Sequence, residues 1–239
     1  MSVTLRDGLV LCAPGGLFVP NESTLVVADV HAGYTATLRS RGYSVPACDD
    51  AGLLDRIRSL LLETRATRVV IAGDLVHGAA AVRGALARFL AALEGCEVAV
   101  VLGNHDRAIG EWLASHGVNA TAEVALGPHR VHHGDDVERA SALREEAMAH
   151  GGRVIVGHLH PAVLLHGAAG VQALVPAFVT ARGLVCLPAL SPYARGVNVL
   201  DPRMRDDLRA LVGDESLGAA CVVGEETIAI GVIARGGRG

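Results

Sequence analysis

The sequence predicts a layered α/β protein in which two β-sheets pack against each other and helices flank the resulting sandwich. In the first two thirds of the chain, short apolar runs rich in β-branched residues alternate with helical patterns, as in layered α/β domains. In the last third, Pro and Gly separate further apolar runs, which indicates a second sheet. The chain has 239 residues, of which 51% are hydrophobic and 19% charged, so it can bury a substantial core.

The strands of the first part are short and are separated by helices. They are expected at Thr24–Ala28, Arg68–Ala72, Glu97–Leu102, Arg130–His132 and Arg153–Val156. Apolar residues at helical spacing predict a helix over 53–61 and another over 82–93, which Gly95 ends. A third helix is expected over 137–150, stopped by two glycines.

The last third is expected to consist mostly of strands. Its apolar runs are Val171–Val175, Leu184–Leu187, Val197–Leu200 and Thr227–Ile233, with one short helix near Met204–Val212. No stretch reads as a linker long enough to divide the chain. We therefore expect one domain over residues 1–239.

Charge and cysteine content narrow the class of protein. The formal charge of −4 excludes a strongly basic nucleic-acid binder of the tail or patch type, although nucleic acid stays open as a substrate. Five scattered cysteines without a CxxC pair are typical of a reducing cytoplasm, and the N-terminal MSVTLRDG has no secretory pattern. The uncharged stretch between Arg153 and Arg182 contains His, Pro and Gly, which favours buried strands over a membrane span. We expect a cytoplasmic protein without membrane attachment.

Polar residues of metal-ligand type follow all five strands of the first part. They are Asp29, His31, Asp74, His77, Asn104, His105, Asp106, His132, His133, His158 and His160. Each alone has an ordinary structural explanation, such as a turn or a satisfied histidine. Because ligands of open α/β sheets bind outside the carboxyl ends of the strands, five such groups in a row predict one common site.

The types of these residues indicate the metal. Carboxylates, imidazoles and an amide without thiolates suit Mn, Fe or Zn better than a structural zinc site built from cysteines. At least seven ligands are too many for one tetrahedral ion, but they suit two ions about 3.5–4 Å apart that share a carboxylate. Such a pair binds phosphoryl oxygens and makes a bridging hydroxide available near neutral pH. The expected reaction is hydrolysis of a phosphoester.

The ordered motifs DxH, GDxxH, GNHD, H and GHxH resemble those of the calcineurin-like metallophosphoesterase superfamily. This resemblance implies a four-layer fold with two mixed sheets between helices. Within the superfamily, FVPNESTLVVADVHAGY, RGYSVP, GDLVH, GNHDR, GHLHPAV and CLPAL are similar to the bacterial ligase-associated DNA damage response endonuclease family (PdeM) and its archaeal relatives. These are distant relatives of SbcD-type nucleases. The resemblance covers about residues 5 to 200 and leaves the tail beyond it unassigned.

The resemblance also implies a role for each site residue. One metal would be held by Asp29, His31, Asp74 and His160, and the other by Asp74, Asn104, His133 and His158, with Asp74 as the bridge. His105 would act as general acid toward the leaving oxygen or stabilise its charge, with Asp106 fixing its imidazole. His77 and Arg107 are weaker candidates for substrate contacts. His133 is preferred to His132 because the family's histidine usually precedes glycine.

Two segments depart from the family pattern. Tyr34 stands where the family's HxGK motif has lysine, and LPALSPYARG replaces LPAFG followed by TGG. Both segments are expected to border the cleft, so the substrate is less well defined than the metal chemistry.

Three functions follow from the sequence. The leading one is a Mn-dependent dinuclear phosphodiesterase acting on DNA, a nuclease of a repair pathway, with no separate DNA-capping domain. A phosphodiesterase or phosphomonoesterase for small nucleotide-like substrates is the alternative. A silent scaffold is disfavoured, because His105 and every expected ligand position are filled. DNA is the expected substrate, and a functional link to DNA ligase and repair proteins is also expected. The expected assembly is a homodimer. Fe and Zn are the alternatives to Mn as the metal.

Overall fold

The structure is a computed structural model that describes residues 2–45, 50–77, 82–106 and 108–234. Seven strands form the first sheet: β1 (Val3–Thr4), β2 (Val10–Cys12), β3 (Gly16–Val19), β4 (Thr24–Val27), β5 (Arg68–Ala72), β6 (Glu97–Val101) and β7 (Asn119–Thr121). Nine form the second: β8 (Glu123–Leu126), β9 (His129–His132), β10 (Val154–Val156), β11 (Pro161–His166), β12 (Gln172–Ala181), β13 (Leu184–Cys186), β14 (Val197–Asn198), β15 (Leu217–Val223) and β16 (Glu226–Ala234). The helices are α1 (Tyr34–Ser40), α2 (Ala51–Thr64), α3 (Val82–Ala91), α4 (Gly110–Ser115), α5 (Val137–Ala149) and α6 (Pro202–Val212).

The first sheet has its strands in sequence order. Strands β1 to β4 pair antiparallel, and β4 to β7 pair parallel. Because parallel strands need crossover connections, helices separate β4, β5 and β6 along the chain. The carboxyl ends of these three strands therefore meet at one edge of the sheet.

The second sheet has the order β14-β11-β12-β13-β10-β9-β8, with β15 paired to β12 and β16 to β15. Its central strands β9, β10 and β13 are parallel, whereas β8 and β12 run antiparallel to their neighbours. The carboxyl ends of β9 and β10 thus also lie at a common edge.

Alternating side chains divide the core into three layers. On β4, Val26 packs between the two sheets, where it shares a cluster with Phe178 and Val185 of the second sheet. Its neighbours Leu25 and Val27 face the other way, into a cluster with apolar residues of α2, α3 and α4. A third cluster joins the second sheet to α5 and α6. The order of layers is therefore α, β, β, α, which confirms the predicted fold class.

The predicted elements of the first part lie within two residues of their expected ends, except that α2 ends at Thr64, three residues beyond the expected end. The sequence interpretation did not include β1 to β3, β7, β8, β15, α1 or α4, which are short or lack a strict apolar period. The uncharged stretch before Arg182 forms β10, β11 and β12, as expected. No helix in the described ranges is both long enough and apolar enough to cross a membrane.

Candidate dinuclear metal centre

The candidate site lies where the ends of both sheets meet. Asp29 and Asp74 are the second residues after β4 and β5, and His133 follows β9 directly. A parallel bridge between Ala28 and Ala189 joins the two sheets at this edge. The loops after β4, β5, β6, β9 and β10 consequently bring their polar side chains together.

Asp29, His31 and His160 form a first group whose ligand atoms all lie within 4.8 Å of one another. Asp29 Oδ2 accepts a hydrogen bond from the His158 backbone N–H at 2.9 Å. The other oxygen, Oδ1, lies 3.2 Å from His160 Nε2. In the described part of the chain, buried Asp29 Oδ1 and His31 Nδ1 have no hydrogen-bond partner. Buried polar atoms without partners are costly, so these atoms fit ligands of a cation.

Asp74, His133 and His158 form the second group, and their ligand atoms also lie within 4.8 Å of one another. His133 Nε2 lies 3.4 Å from Asp74 Oδ1, 3.2 Å from His158 Nδ1 and 3.2 Å from Asn104 Oδ1. Its other ring nitrogen, Nδ1, faces the Ala72 carbonyl oxygen at 3.1 Å. A proton on Nδ1 would be donated to this carbonyl and would leave the Nε2 lone pair for a metal.

The two groups are neighbours and their electrostatics suit metal binding. His133 Nδ1 lies 4.0 Å from Asp29 Oδ1 of the first group. Burial lowers the pKa of His31 to about 4 and also lowers the pKa of His158, which keeps both imidazoles in the neutral, ligating form. Burial also acts to lower the pKa of His160, but Asp29 and Asp74 outweigh it and the net shift is upward. The donor set therefore fits two divalent cations.

Most of the candidate ligands have an unusual backbone conformation. Left-handed φ angles occur at Asp29 (52°), His31 (47°), Asp74 (47°), His158 (65°) and His160 (48°). Such angles cost about 1–3 kcal/mol per non-glycine residue and cluster at functional sites. The surrounding structure stabilises this strained arrangement before any ligand arrives.

Glycines beside the ligands leave them the room they need. A Cβ on Gly73 would lie 2.0 Å from His133 Nδ1, and one on Gly103 would lie 2.4 Å from Asp74 Oδ1. Gly73 also has a φ of +79°. These two glycines in the GD and GN motifs are therefore required by the packing of the site.

His105 is exposed at the mouth of the site. Its backbone N–H donates to Asp74 Oδ1 at 3.1 Å, which fixes the residue against the second group. Its ring stacks on His77 with centroids 5.3 Å apart and meets the edge of His31 at 5.9 Å. Tyr34 lies against His77, and the centroids of these two rings are 4.4 Å apart. The cleft over the ligands holds about 250 Å³.

Asp106 has different partners from those expected. Its buried carboxylate accepts hydrogen bonds from the backbone N–H groups of Leu75, Val76 and Gly103, at 3.0 to 3.1 Å. No contact with the His105 imidazole is found between these two described residues. Burial raises the pKa of Asp106, although the three N–H donors act in the opposite direction. Asp106 therefore joins the loop after β5 to the loop after β6, because a carboxylate is the side chain that can accept several N–H bonds.

The remaining candidates lie in several places. His132 is buried beside the site, and its Nδ1 accepts from the Gly134 N–H at 3.0 Å instead of joining either group. His77 lines the cleft, whereas Arg107 lies outside the described residues. Sequence reasoning did not single out Arg195, which lines the cleft from the loop between β13 and β14. Arg195 belongs to the segment LPALSPYARG, and the departure of this segment from the family pattern was the feature of the sequence that could have indicated it.

The comparisons with known proteins agree with this geometry. Residues 23–179 match the family model of the calcineurin-like phosphoesterase superfamily domain. The chain belongs to this superfamily. As a calcineurin-like phosphoesterase it is a metal-dependent hydrolase with two candidate groups of metal ligands. Comparison with curated protein sequences gives no significant match.

Solved structures similar to this chain include a nuclease and a phosphoesterase. A nuclease MPE from Pseudomonas putida is 22% identical, with a TM-score of 0.63, over 96% of this chain and 99% of that chain. The phosphoesterase Yfce from E. coli is 16% identical, with a TM-score of 0.41, over 88% of this chain and 98% of that chain. The TM-score of 0.63 shows that the chain shares its fold with nuclease MPE.

Proposed function

We propose that the chain is a Mn-dependent dinuclear phosphodiesterase that hydrolyses DNA. The observation that carries this proposal is the pair of adjacent ligand groups with an exposed histidine, His105, at the mouth of their cleft. The expected roles in DNA repair and in the cytoplasm, with a functional link to DNA ligase, belong to the same proposal. So does the assignment of residues 1–239 to one domain.

In this proposal the two ions share Asp74. One set of ligands is Asp29, His31, Asp74 and His160, and the other is Asp74, Asn104, His133 and His158. Two such ions, when bound, supply positive charge for phosphoryl oxygens and lower the pKa of water near them. Mn is favoured by a donor set of oxygens and imidazoles without thiolates.

The protein itself positions the proton donor. The His105 backbone N–H donates to Asp74 Oδ1, which holds the backbone of His105 beside the second ligand group. Its stacking on His77 restrains the ring plane. Exposure leaves its ring nitrogens open to a substrate, where the imidazolium can donate a proton to the leaving oxygen.

DNA is favoured as the substrate by two observations. The cleft is open at the protein surface, and the nuclease MPE shares the fold over nearly the full length of both chains. A second candidate is a small nucleotide-like phosphodiester or phosphomonoester. The cleft volume of about 250 Å³ favours it, since this space suits a small ester.

Hydrolysis assays distinguish these substrates. End-labelled single- and double-stranded DNA and bis-p-nitrophenyl phosphate are incubated with Mn, Mg, Zn or no metal. The enzymes are wild type, His105→Ala and, as a matched control, His116→Ala, whose exposed ring stacks on Trp112 away from the cleft. We expect DNA cleavage in Mn, a steep decrease with salt, and loss of turnover only in His105→Ala. Cleavage of the small diester alone would refute the DNA assignment and favour the second candidate.

A further inference from the structure

The cleft contains an arginine that the metal chemistry does not use. Among the described residues that line it, Arg195 is the only arginine. Its side chain is exposed, and in the described ranges no carboxylate pairs with it. A guanidinium without a partner beside a phosphoester site suits a phosphate, because its planar fork donates two parallel hydrogen bonds to phosphate oxygens.

The backbone holds Arg195 next to a metal ligand. The Val197 N–H donates to the His160 carbonyl at 2.9 Å, within the pairing of β14 with β11. A Cβ on Gly196 would lie 2.6 Å from Ala162 Cβ, so the loop packs closely on β11. Arg195 precedes this anchored pair directly. Its Cα is therefore fixed beside His160, although its side chain is exposed.

Charge differs between the two sides of the centre. Arg195 stands on the His160 side, whereas the exposed Asp135 acts electrostatically on His158 of the other ligand group. Asp136 follows it and is also exposed. Phosphates on the His158 side are repelled by the Asp135 carboxylate, whereas those on the His160 side are attracted by the guanidinium. A polynucleotide strand is consequently guided toward Arg195.

We propose that Arg195 binds the phosphate adjacent to the scissile one, so that the site prefers a phosphodiester within a nucleotide chain to an isolated diester. The scissile phosphate itself is expected over the two ligand groups, facing His105. The proposal rests on the proposed function and identifies a specificity-determining residue for it.

Kinetics on matched substrates test this role. Wild type, Arg195→Ala, Arg195→Lys and the control Arg205→Ala act on a thymidine dinucleotide with and without a terminal phosphate at either end. Arg205 is exposed on α6. For wild type we expect a lower KM when the extra phosphate is present. In Arg195→Ala this KM should rise about tenfold while kcat stays constant. Lysine should restore part of the affinity, because it keeps the charge without the fork.

A binding measurement gives a readout that is independent of turnover. Fluorescence anisotropy follows a labelled oligothymidylate on the full-length, Mn-loaded His105→Ala protein, with and without Arg195→Ala, at increasing salt. Loss of one phosphate contact should reduce the slope of log K against log salt by about 0.7 for a single strand. The Arg205→Ala change should leave the slope as it is.

Three results would overturn the proposal. Equal losses of kcat on both dinucleotides would place Arg195 on the scissile phosphate instead. If Arg195→Ala changes neither the KM nor the salt slope, Arg195 does not bind substrate. The same conclusion follows if the KM of wild type does not depend on the extra phosphate. If the metal-loaded wild type hydrolyses no phosphodiester at all, the proposed function fails, whereas the salt slope still decides whether Arg195 binds phosphate.

Discussion

At the scale of single residues, Asp74 belongs to the second ligand group and also acts electrostatically on the first. It lies 3.4 Å from His133 Nε2, and its charge acts to raise the pKa values of His31 and His160 in the other group. We predict that Asp74→Ala loses metal from both sites, whereas His105→Ala keeps both ions and loses a factor of about 10²–10⁴ in rate. Elemental analysis of the two purified variants measures this. Full metal occupancy in Asp74→Ala would contradict the bridging role.

His129 makes stability depend on pH away from the metal centre. It is buried, its Nδ1 accepts from the Arg153 N–H at 3.2 Å, and burial lowers its pKa, with Asp7 and Glu22 acting upward and Arg153 downward. The pKa of such a histidine is lower in the folded protein than its value of about 6.5 in the unfolded chain. Its contribution to the free energy of unfolding is therefore complete above pH 6.5, and it is lost as the pH falls toward the pKa of the folded state.

We therefore predict that the free energy of unfolding of wild type decreases from pH 7.5 to 5.5 and that His129→Asn, which keeps an acceptor, shows a smaller decrease. Urea titrations of metal-free protein at three pH values measure it, with His166→Asn at an exposed strand end as control. An identical pH dependence in His129→Asn and wild type would exclude this role.

At the scale of elements, the turn after β5 depends on Gly73. Gly73 and Gly95 both have positive φ, +79° and +88°, but only at Gly73 would a Cβ collide with a ligand; around Gly95 nothing lies within 4 Å. We predict that Gly73→Ala displaces His133 and loses metal, whereas Gly95→Ala keeps metal and costs about 1 kcal/mol of stability. Metal analysis and urea unfolding of both variants separate backbone strain from the steric effect. Retention of both ions in Gly73→Ala would refute the steric argument.

Elements with strong periodicity were predictable from the sequence. The apolar runs of β4, β5 and β6 gave their bounds, and the polar residues after them indicated one site because parallel strands end at a common edge. The partners of Asp106 were not predictable, because its three N–H donors come from two loops whose approach depends on the whole sheet. The position of Arg195 in the cleft was also not predictable, because it depends on the pairing between β11 and β14.

At the scale of the whole molecule, the candidate metal ligands come from both sheets. Asp29 and Asp74 follow strands of the first sheet, whereas His133, His158 and His160 follow strands of the second. Ligands that bind only the folded state raise its stability. We predict that Mn raises the melting temperature by about 10 °C over protein in EDTA and keeps a single transition. Calorimetry measures this, and Asp74→Ala should lose most of the shift. Two separate transitions with Mn would show that the sheets are not coupled through the site.

The two sheets are also consecutive halves of the chain, since the first ends at Thr121 and the second begins at Glu123. Each ligand group draws on both halves, Asp29 with His160 and Asp74 with His133. A nascent chain that has left the ribosome only as far as Thr121 therefore carries two residues of the first group and one of the second, and completes neither. Neither ligand group is complete in a translation product that stops before His158, so such a product lacks the means to hold either metal.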